Sequence, residues 1–288
     1  MKPLEQKFKE VFGKDAEQQF FAPGRVNLIG EHTDYNGGNV FPCAIDKGTY
    51  GLVKKRNDRK FRMYSENFAD LGVMEFTLDE LVNDKKHDWA NYPKGVIKMF
   101  VEEGFKIDSG FDFLVSGNIP NGAGLSSSAS IEMLTGIVLK DLFHLSIDPI
   151  AMALLGKKVE NLFIGVNSGI MDQFASVFGQ EGKLMRLDCR SREFEYFPFN
   201  PQGYKLVLLD SKVKHELASS AYNDRRRSCE NVVAHIAKRH EGVETLRDAS
   251  WEWLEEVKAE VPEEDYRCAK YVLGEKDRVL AVSDALVR

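Results

Sequence analysis

The spacing of hydrophobic positions changes several times along the chain, and each change marks an element. Leu4, Phe8, Val11 and Phe12 form a stripe at helical spacing, closed by Gly13. Gln19 to Ala22 then predicts a short strand. Phe41 to Tyr64 has β-type composition and predicts strands over Lys47–Val53 and Phe61–Tyr64, with Pro42 at an edge or turn. Trp89, Tyr92, Val96, Met99 and Phe100 return to helical spacing and face a core. Phe111, Phe113 and Val115 alternate as in a half-buried strand, whereas Ile131, Leu134, Val138 and Leu142 follow a helix.

Further along, Asp148-Pro149 has the chemistry of a helix start, an aspartate at the N-cap and a proline at the first helical position. That helix carries Ile150, Leu154 and Leu155 and continues to Glu160, which in isolation reads as a surface partner of Lys157. Lys183–Asp188, Glu193–Phe197 and Tyr204–Asp210 predict three strands, the last apolar enough at Leu206 to Leu209 to be central. From Ala218 onward the chain reads as helical, its core lined by Val232, Val233, Ile236, Trp251, Trp253, Leu254, Tyr266, Val272, Val279 and Leu280. No internal repeat or low-complexity linker interrupts it. The element types together predict an α+β protein.

Between the strand at 111–115 and the helix at 131–142 lies Asn118-Ile-Pro-Asn-Gly-Ala-Gly-Leu-Ser-Ser-Ser-Ala-Ser-Ile-Glu132. Pro120 and Asn121 suit a turn, and Gly122 and Gly124 allow sharp bends and close approach of a ligand to the backbone. Ser126, Ser127 and Ser128 can open the helix, whose first N–H groups and dipole favour an anion. The residues suit a phosphate cradle and equally a Gly/Ser turn with a serine cap. The loop is no Walker A element, and it lacks the third glycine of a dinucleotide fingerprint.

Composition narrows the class. With 288 residues, 43% hydrophobic and 29% charged, the chain can bury a large core in one large or two medium domains. A net charge of −6 argues against a nucleic-acid partner, and Lys54-Lys55-Arg56 and Arg225-Arg226-Arg227 are too short to reverse that. No apolar run is long enough for a membrane span and Met1-Lys2-Pro3 opens no signal peptide, so a cytoplasmic protein without a membrane partner is expected. Cys43, Cys189, Cys229 and Cys268 are too far apart for a zinc knuckle or a Cys-x-x-Cys pair, and reduced thiols fit that address.

The segment Ala22 to Gly38 crowds Arg25, Glu31, His32 and Asp34 into ten positions among glycines. Hydroxyl-rich ligands need several rigid donors and acceptors converging on a small site, which such residues can supply. Within it, Gly24-Arg-Val-Asn-Leu-Ile-Gly-Glu-His-Thr-Asp-Tyr35 resembles the galactokinase signature over twelve consecutive positions. Pro-x-Gly-x-Gly-Leu-Ser-Ser-Ser-Ala resembles the central motif of the superfamily comprising galactokinase, homoserine kinase, mevalonate kinase and phosphomevalonate kinase. Gly169-Ile-Met-Asp-Gln173 also matches the galactokinase pattern.

The resemblance implies a two-domain α+β kinase fold, with domains at 1–180 and 181–288, and ATP-dependent phosphorylation of galactose. It implies that Asp172 is the base, with Arg25 holding that carboxylate ionised and offsetting charge on the transferred phosphoryl group. Glu31, His32, Thr33, Asp34, Gly169 and Tyr222 would hold the sugar. Ser65 would touch the nucleotide, Gly122, Ala123, Gly124, Leu125, Ser126, Ser127 and Ser128 would cradle its phosphates, and Ser128 with Glu160 would hold Mg²⁺, a cation needing few protein ligands.

One part of the family pattern has no counterpart. Nothing after Tyr222 resembles the third motif, a Thr-Gly-Gly-Gly-type loop, so the resemblance implies a second domain cut short, with exposed strand edges and apolar helix faces prone to association where the complete protein would be a monomer. The alternatives are a kinase for a related sugar such as N-acetylgalactosamine, arabinose or galacturonate, and a catalytically silent protein that binds sugar and nucleotide.

Overall fold

The computed structural model describes residues 2–120, 122–209 and 221–287. They form two compact units, each assembled from two chain segments: 1–24 with 45–165, and 25–44 with 166–288. A cut at residue 180 follows the order of the motifs, whereas the packing divides the chain at 24/25, 44/45 and 165/166.

The first unit is built on a mixed sheet. Its strands are β1 (Gln18–Asn27), β3 (Pro42–Lys55), β4 (Lys60–Ser65), β5 (Met74–Thr77) and β6 (Phe111–Gly117), in the order β1-β3-β6-β4-β5. The short β2 (Asn39–Val40) belongs to the other unit. Strand β6 runs antiparallel to β3 and parallel to β4, with Arg62 opposite Asp112. Helix α1 (Lys2–Phe12) lays Phe8 and Phe12 on Leu52, Tyr64 and Leu114. The other face is covered by α3 (Ser127–Leu142), whose Leu134 lies against the neighbouring Gly51, since successive strand residues face opposite ways. Helices α2 (Asn91–Glu102) and α4 (Pro149–Lys158) pack on α3. As its chemistry predicts, Asp148 caps α4 by accepting from the N–H groups of Ile150 and Ala151.

The second unit holds a three-stranded antiparallel sheet, β2 with β7 (Lys183–Asp188) and β8 (Phe194–Pro198). It also contains α5 (Met171–Phe178), α6 (Ala221–Ile236), α7 (Trp251–Val257) and α8 (Glu263–Val287). Cys229, Val232, Ile236, Leu254, Ala269 and Leu273 form the centre of the core shared by α6, α7 and α8.

Four expectations are corrected. Strand β1 does not stop at Ala22 but runs to Asn27, with Ala22, Gly24 and Val26 buried in alternation; the glycine conceals this period because it adds no hydrophobic side chain. Strand β6 is buried on both faces from Phe111 to Val115, because α1 covers Leu114 and Arg56 and Arg62 enclose Asp112. The span 204–209 is not a strand: Leu209 is 90% exposed and no described strand lies beside it to complete a ladder, which sequence composition alone cannot supply. Trp251 and Leu280 are exposed on the outer faces of α7 and α8 and do not line the core. Asn121, Asp210 and Ala218 to Ser220, read as parts of a turn, a strand and a helix start, lie outside the described residues.

Asp112 anchors the sheet of the first unit. Its side chain is 1% exposed, and Oδ1 accepts from Arg56 Nη1 at 2.9 Å and Arg62 Nε at 2.8 Å. Removing one member of such a cluster leaves charge buried without its partner. Asp112→Ala is expected to lower unfolding free energy by about 3 kcal/mol in urea titration, and a loss below about 1 kcal/mol would contradict this role.

Candidate functional site

The last three residues of strand β1 fall in the second unit, and there the strand gives Arg25 and Asn27 the same face, two residues apart. The chain then enters a tight turn. Gly30 has φ +100° and His32 has φ 62°, so two residues of the turn adopt the left-handed region, which costs a side-chain-bearing residue such as His32 some strain. Thr33 fixes the turn from inside: its Oγ1 lies 2.7 Å from the carbonyl oxygens of both Gly30 and Asn39 and donates to one or the other, and the residue is 1% exposed. Asn36 Nδ2 donates to the His32 carbonyl at 2.9 Å. Asn27 accepts from the Phe41 N–H at 3.1 Å and donates to Glu31 Oε1 at 2.8 Å. The turn therefore presents Glu31, His32 and Asp34 from a backbone pinned at both ends.

Asp172 sits in the first turn of α5, where the helix dipole suits a carboxylate. Arg25 Nε and Nη2 both lie 2.7 Å from Asp172 Oδ1. Burial opposes the Arg25 charge, but Asp172, Glu31 and Asp34 outweigh it and raise the guanidinium's pKa above its ordinary value. Asp34 packs directly over Gly169, where an added Cβ would overlap its carboxylate. Burial first, then the charges of Asp172 and Glu31, push the Asp34 carboxyl up to about 6, against the pull of the Tyr35 N–H and Arg25. Desolvation, with help from Arg225, lowers the His32 pKa despite Glu31, which favours the neutral ring.

An aromatic cluster completes this group. His32 Nδ1 is 2.9 Å from the Tyr35 hydroxyl, and the Tyr222 ring lies 5.6 Å from His32 and 5.4 Å from Tyr35. Helix α6 is tied to the loop before Gly169, since Asn223 Oδ1 accepts from the Asn167 N–H at 3.0 Å and Arg226 donates to the Asn167 carbonyl at 2.8 Å. Arg25, Glu31, His32, Asp34, Gly169, Asp172 and Tyr222, separated in sequence, thus belong to one unit and interact there through this network. Thr33 is buried inside the turn. Asn27, Tyr35, Asn223 and Arg226 were not singled out from the sequence; the alternation of Arg25 with Asn27 on one strand face was the available signal for Asn27.

The remaining predicted site residues belong to the first unit. Gly122 and Gly124 have φ of +73° and +71°, which supports the expected sharp bends. Gly24 permits a close approach of the Leu125 carbonyl, which a Cβ would meet at 2.6 Å. Ser126 caps α3 in the left-handed region at φ 61° without a side-chain capping bond, and the first helical hydrogen bond is Ser130 N–H to the Ser126 carbonyl. The N–H groups of the first helical turn therefore precede the helical ladder and are available in orientation to an anion. Ser128 Oγ donates to Glu160 Oε1 at 2.9 Å, and Glu160 is 6% exposed. Glu160 is thus buried and not on the surface, where its spacing from Lys157 suggests it; the helix changes to a wider π turn over Val159–Ile164, which alters which face each residue occupies. Ser65 is buried at the end of β4 and caps the following turn by accepting from the Asn67 N–H at 3.2 Å.

Asp34 gives this arrangement a pH signature. Its folded pKa of about 6 lies above the ordinary 3.8, so its contribution to stability is fully present below about pH 4 and lost as pH rises through about 6. In thermal melts, Asp34→Asn is expected to gain melting temperature relative to the unaltered chain as pH rises across this window. A difference that is constant with pH would contradict the assignment.

Residues 6–55 match the family model described as galactokinase galactose-binding signature, and residues 91–180 match the GHMP kinases N terminal domain. The galactokinase of Fusobacterium nucleatum subsp. nucleatum is 53% identical over 94% of this chain and 70% of its own length. That of Clostridium beijerinckii is 49% identical over 98% of this chain and 73% of its own. The crystal structure of Lactococcus lactis galactokinase complexed with galactose covers 99% of this chain and 74% of that one, at 42% identity and a TM-score of 0.93. Methanococcus jannaschii mevalonate kinase, at 19% identity and a TM-score of 0.53, shares the fold. The chain belongs to the galactokinase family of GHMP kinases.

Proposed function

We propose that the chain transfers the γ-phosphoryl group of ATP to the anomeric hydroxyl of galactose. The observation that carries this reading is the Arg25–Asp172 ion pair, joined to Asp34 and Gly169 in a chain 53% identical to a curated galactokinase. Asp172 accepts the hydroxyl proton as the sugar oxygen forms its bond to the γ-phosphorus and the bond to the bridging oxygen of ADP breaks. Arg25 gives Asp172 a fixed counter-charge and offsets charge on the transferred phosphoryl group. Glu31, His32 and Asp34 bind sugar hydroxyls, with Tyr222 and the Gly169 backbone beside them, while Thr33 shapes the turn. A site built on so many polar contacts discriminates between epimers because the wrong sugar leaves buried groups unpaired.

Gly122 to Ser128 cradle the nucleotide phosphates, and Ser65 contacts the nucleotide. The Ser128 hydroxyl and the buried Glu160 carboxylate, 2.9 Å apart, are oxygen donors suited to Mg²⁺, which would neutralise phosphate charge when bound. Motif order supports residues 1–180 and 181–288 as the two functional domains. We assign the chain to the cytoplasm, because its cysteines are in no disulfide; among the described residues no helix is long and apolar enough to cross a membrane.

Asp172→Asn tests the role of the carboxylate. Turnover is expected to fall at least about a hundredfold, with ATP affinity retained in fluorescence titration. Turnover close to that of the unaltered chain would remove Asp172 from the mechanism.

A further inference from the structure

The turn carrying Glu31 and His32 is held by a residue 245 positions away. Glu275 of α8 is 5% exposed, and its Oε1 accepts from the Gly30 N–H at 2.7 Å and the Glu31 N–H at 3.2 Å. Its other oxygen is occupied by Arg278, whose Nε and Nη2 both lie 2.7 Å away. Tyr271, Glu275, Arg278 and Val279 share one helix face. Tyr271 sets its ring at 81° to His32 with centroids 6.4 Å apart, and Val279 packs where a Cβ on Gly30 would meet it at 3.3 Å.

We infer that Glu275 is a positioning residue for sugar binding, fixing the backbone from which Glu31 and His32 reach the ligand. This rests on the functional reading above and adds a residue outside the signature. The two N–H groups it receives belong to Glu31 itself and to Gly30, the most flexible residue of the turn. Thr33 ties down the carbonyl of Gly30 through its own N–H at 3.3 Å, but a bond at the carbonyl alone leaves the planar Gly30–Glu31 peptide free to pivot about that oxygen. Glu275 holds the N–H side, so the left-handed conformations at Gly30 and His32 are secured from two directions. Arg278 in turn prevents the carboxylate from swinging away.

Isothermal titration of the purified chain with galactose and, separately, with Mg-ATP tests this, with thermal melts checking the fold. Glu275→Ala should weaken galactose binding about tenfold or more while Mg-ATP affinity stays within about twofold. Glu275→Gln, whose amide oxygen can accept from the same N–H groups, should recover most of the loss. Unchanged galactose affinity in Glu275→Ala, or equal weakening of both ligands, would overturn the inference. If Glu275→Ala does not fold, Glu275→Asp decides: its carboxylate is withdrawn from the turn but can still pair with Arg278, so selective loss of galactose affinity supports positioning and unchanged affinity overturns it. Failure of the unaltered chain to bind galactose would instead sink the functional reading and this inference with it.

Discussion

The second unit depends on one electrostatic constraint: the guanidinium of Arg25 pairs with Asp172 directly while Asp34 and Glu31 stand nearby. Carboxylates gathered in a half-buried space repel one another, and desolvation adds to the penalty. Asp34 registers that conflict with a pKa near 6. Asp172, by contrast, has Arg25 within 2.7 Å and the start of α5 beneath it. Chemically similar side chains therefore acquire different environments, which suits a division between proton acceptance and hydroxyl binding.

Geometry makes the constraint tolerable. Gly169 leaves the space that the Asp34 carboxylate fills, so glycine is required there by close approach and not by backbone conformation. The signature turn is rigid for a different reason: its backbone groups are bonded to Thr33, Asn36 and Glu275, so neither end can relax without breaking buried hydrogen bonds. Rigid presentation limits the entropy lost when a polyol is bound. The loop before α3 relies on glycine in the more usual way, through positive φ at Gly122 and Gly124.

Much of this was legible in the sequence because the functional chemistry is concentrated in contiguous motifs. Twelve consecutive positions from Gly24 to Tyr35 carry the sugar signature, and Asp148-Pro149 marked its helix correctly through local capping. Local spacing failed where distant packing decides. Glu160 looked exposed beside its lysines because a regular helix was assumed, and the π turn places it in the interior. Leu206 to Leu209 looked like a central strand because hydrophobicity reports what a side chain tolerates and not whether a neighbouring strand is present. Glu275 carried no signal at all, since the N–H groups that donate to it lie 245 and 244 positions away on a turn whose shape only the folded chain defines.

Phosphorus NMR of the purified chain with Mg-ATP tests the central claim most directly, with galactose compared against N-acetylgalactosamine, glucose and no sugar. The account predicts ADP and galactose 1-phosphate appearing together, and only when galactose is present. Folded protein that binds Mg-ATP yet forms no sugar phosphate, or that phosphorylates glucose as readily as galactose, would contradict it.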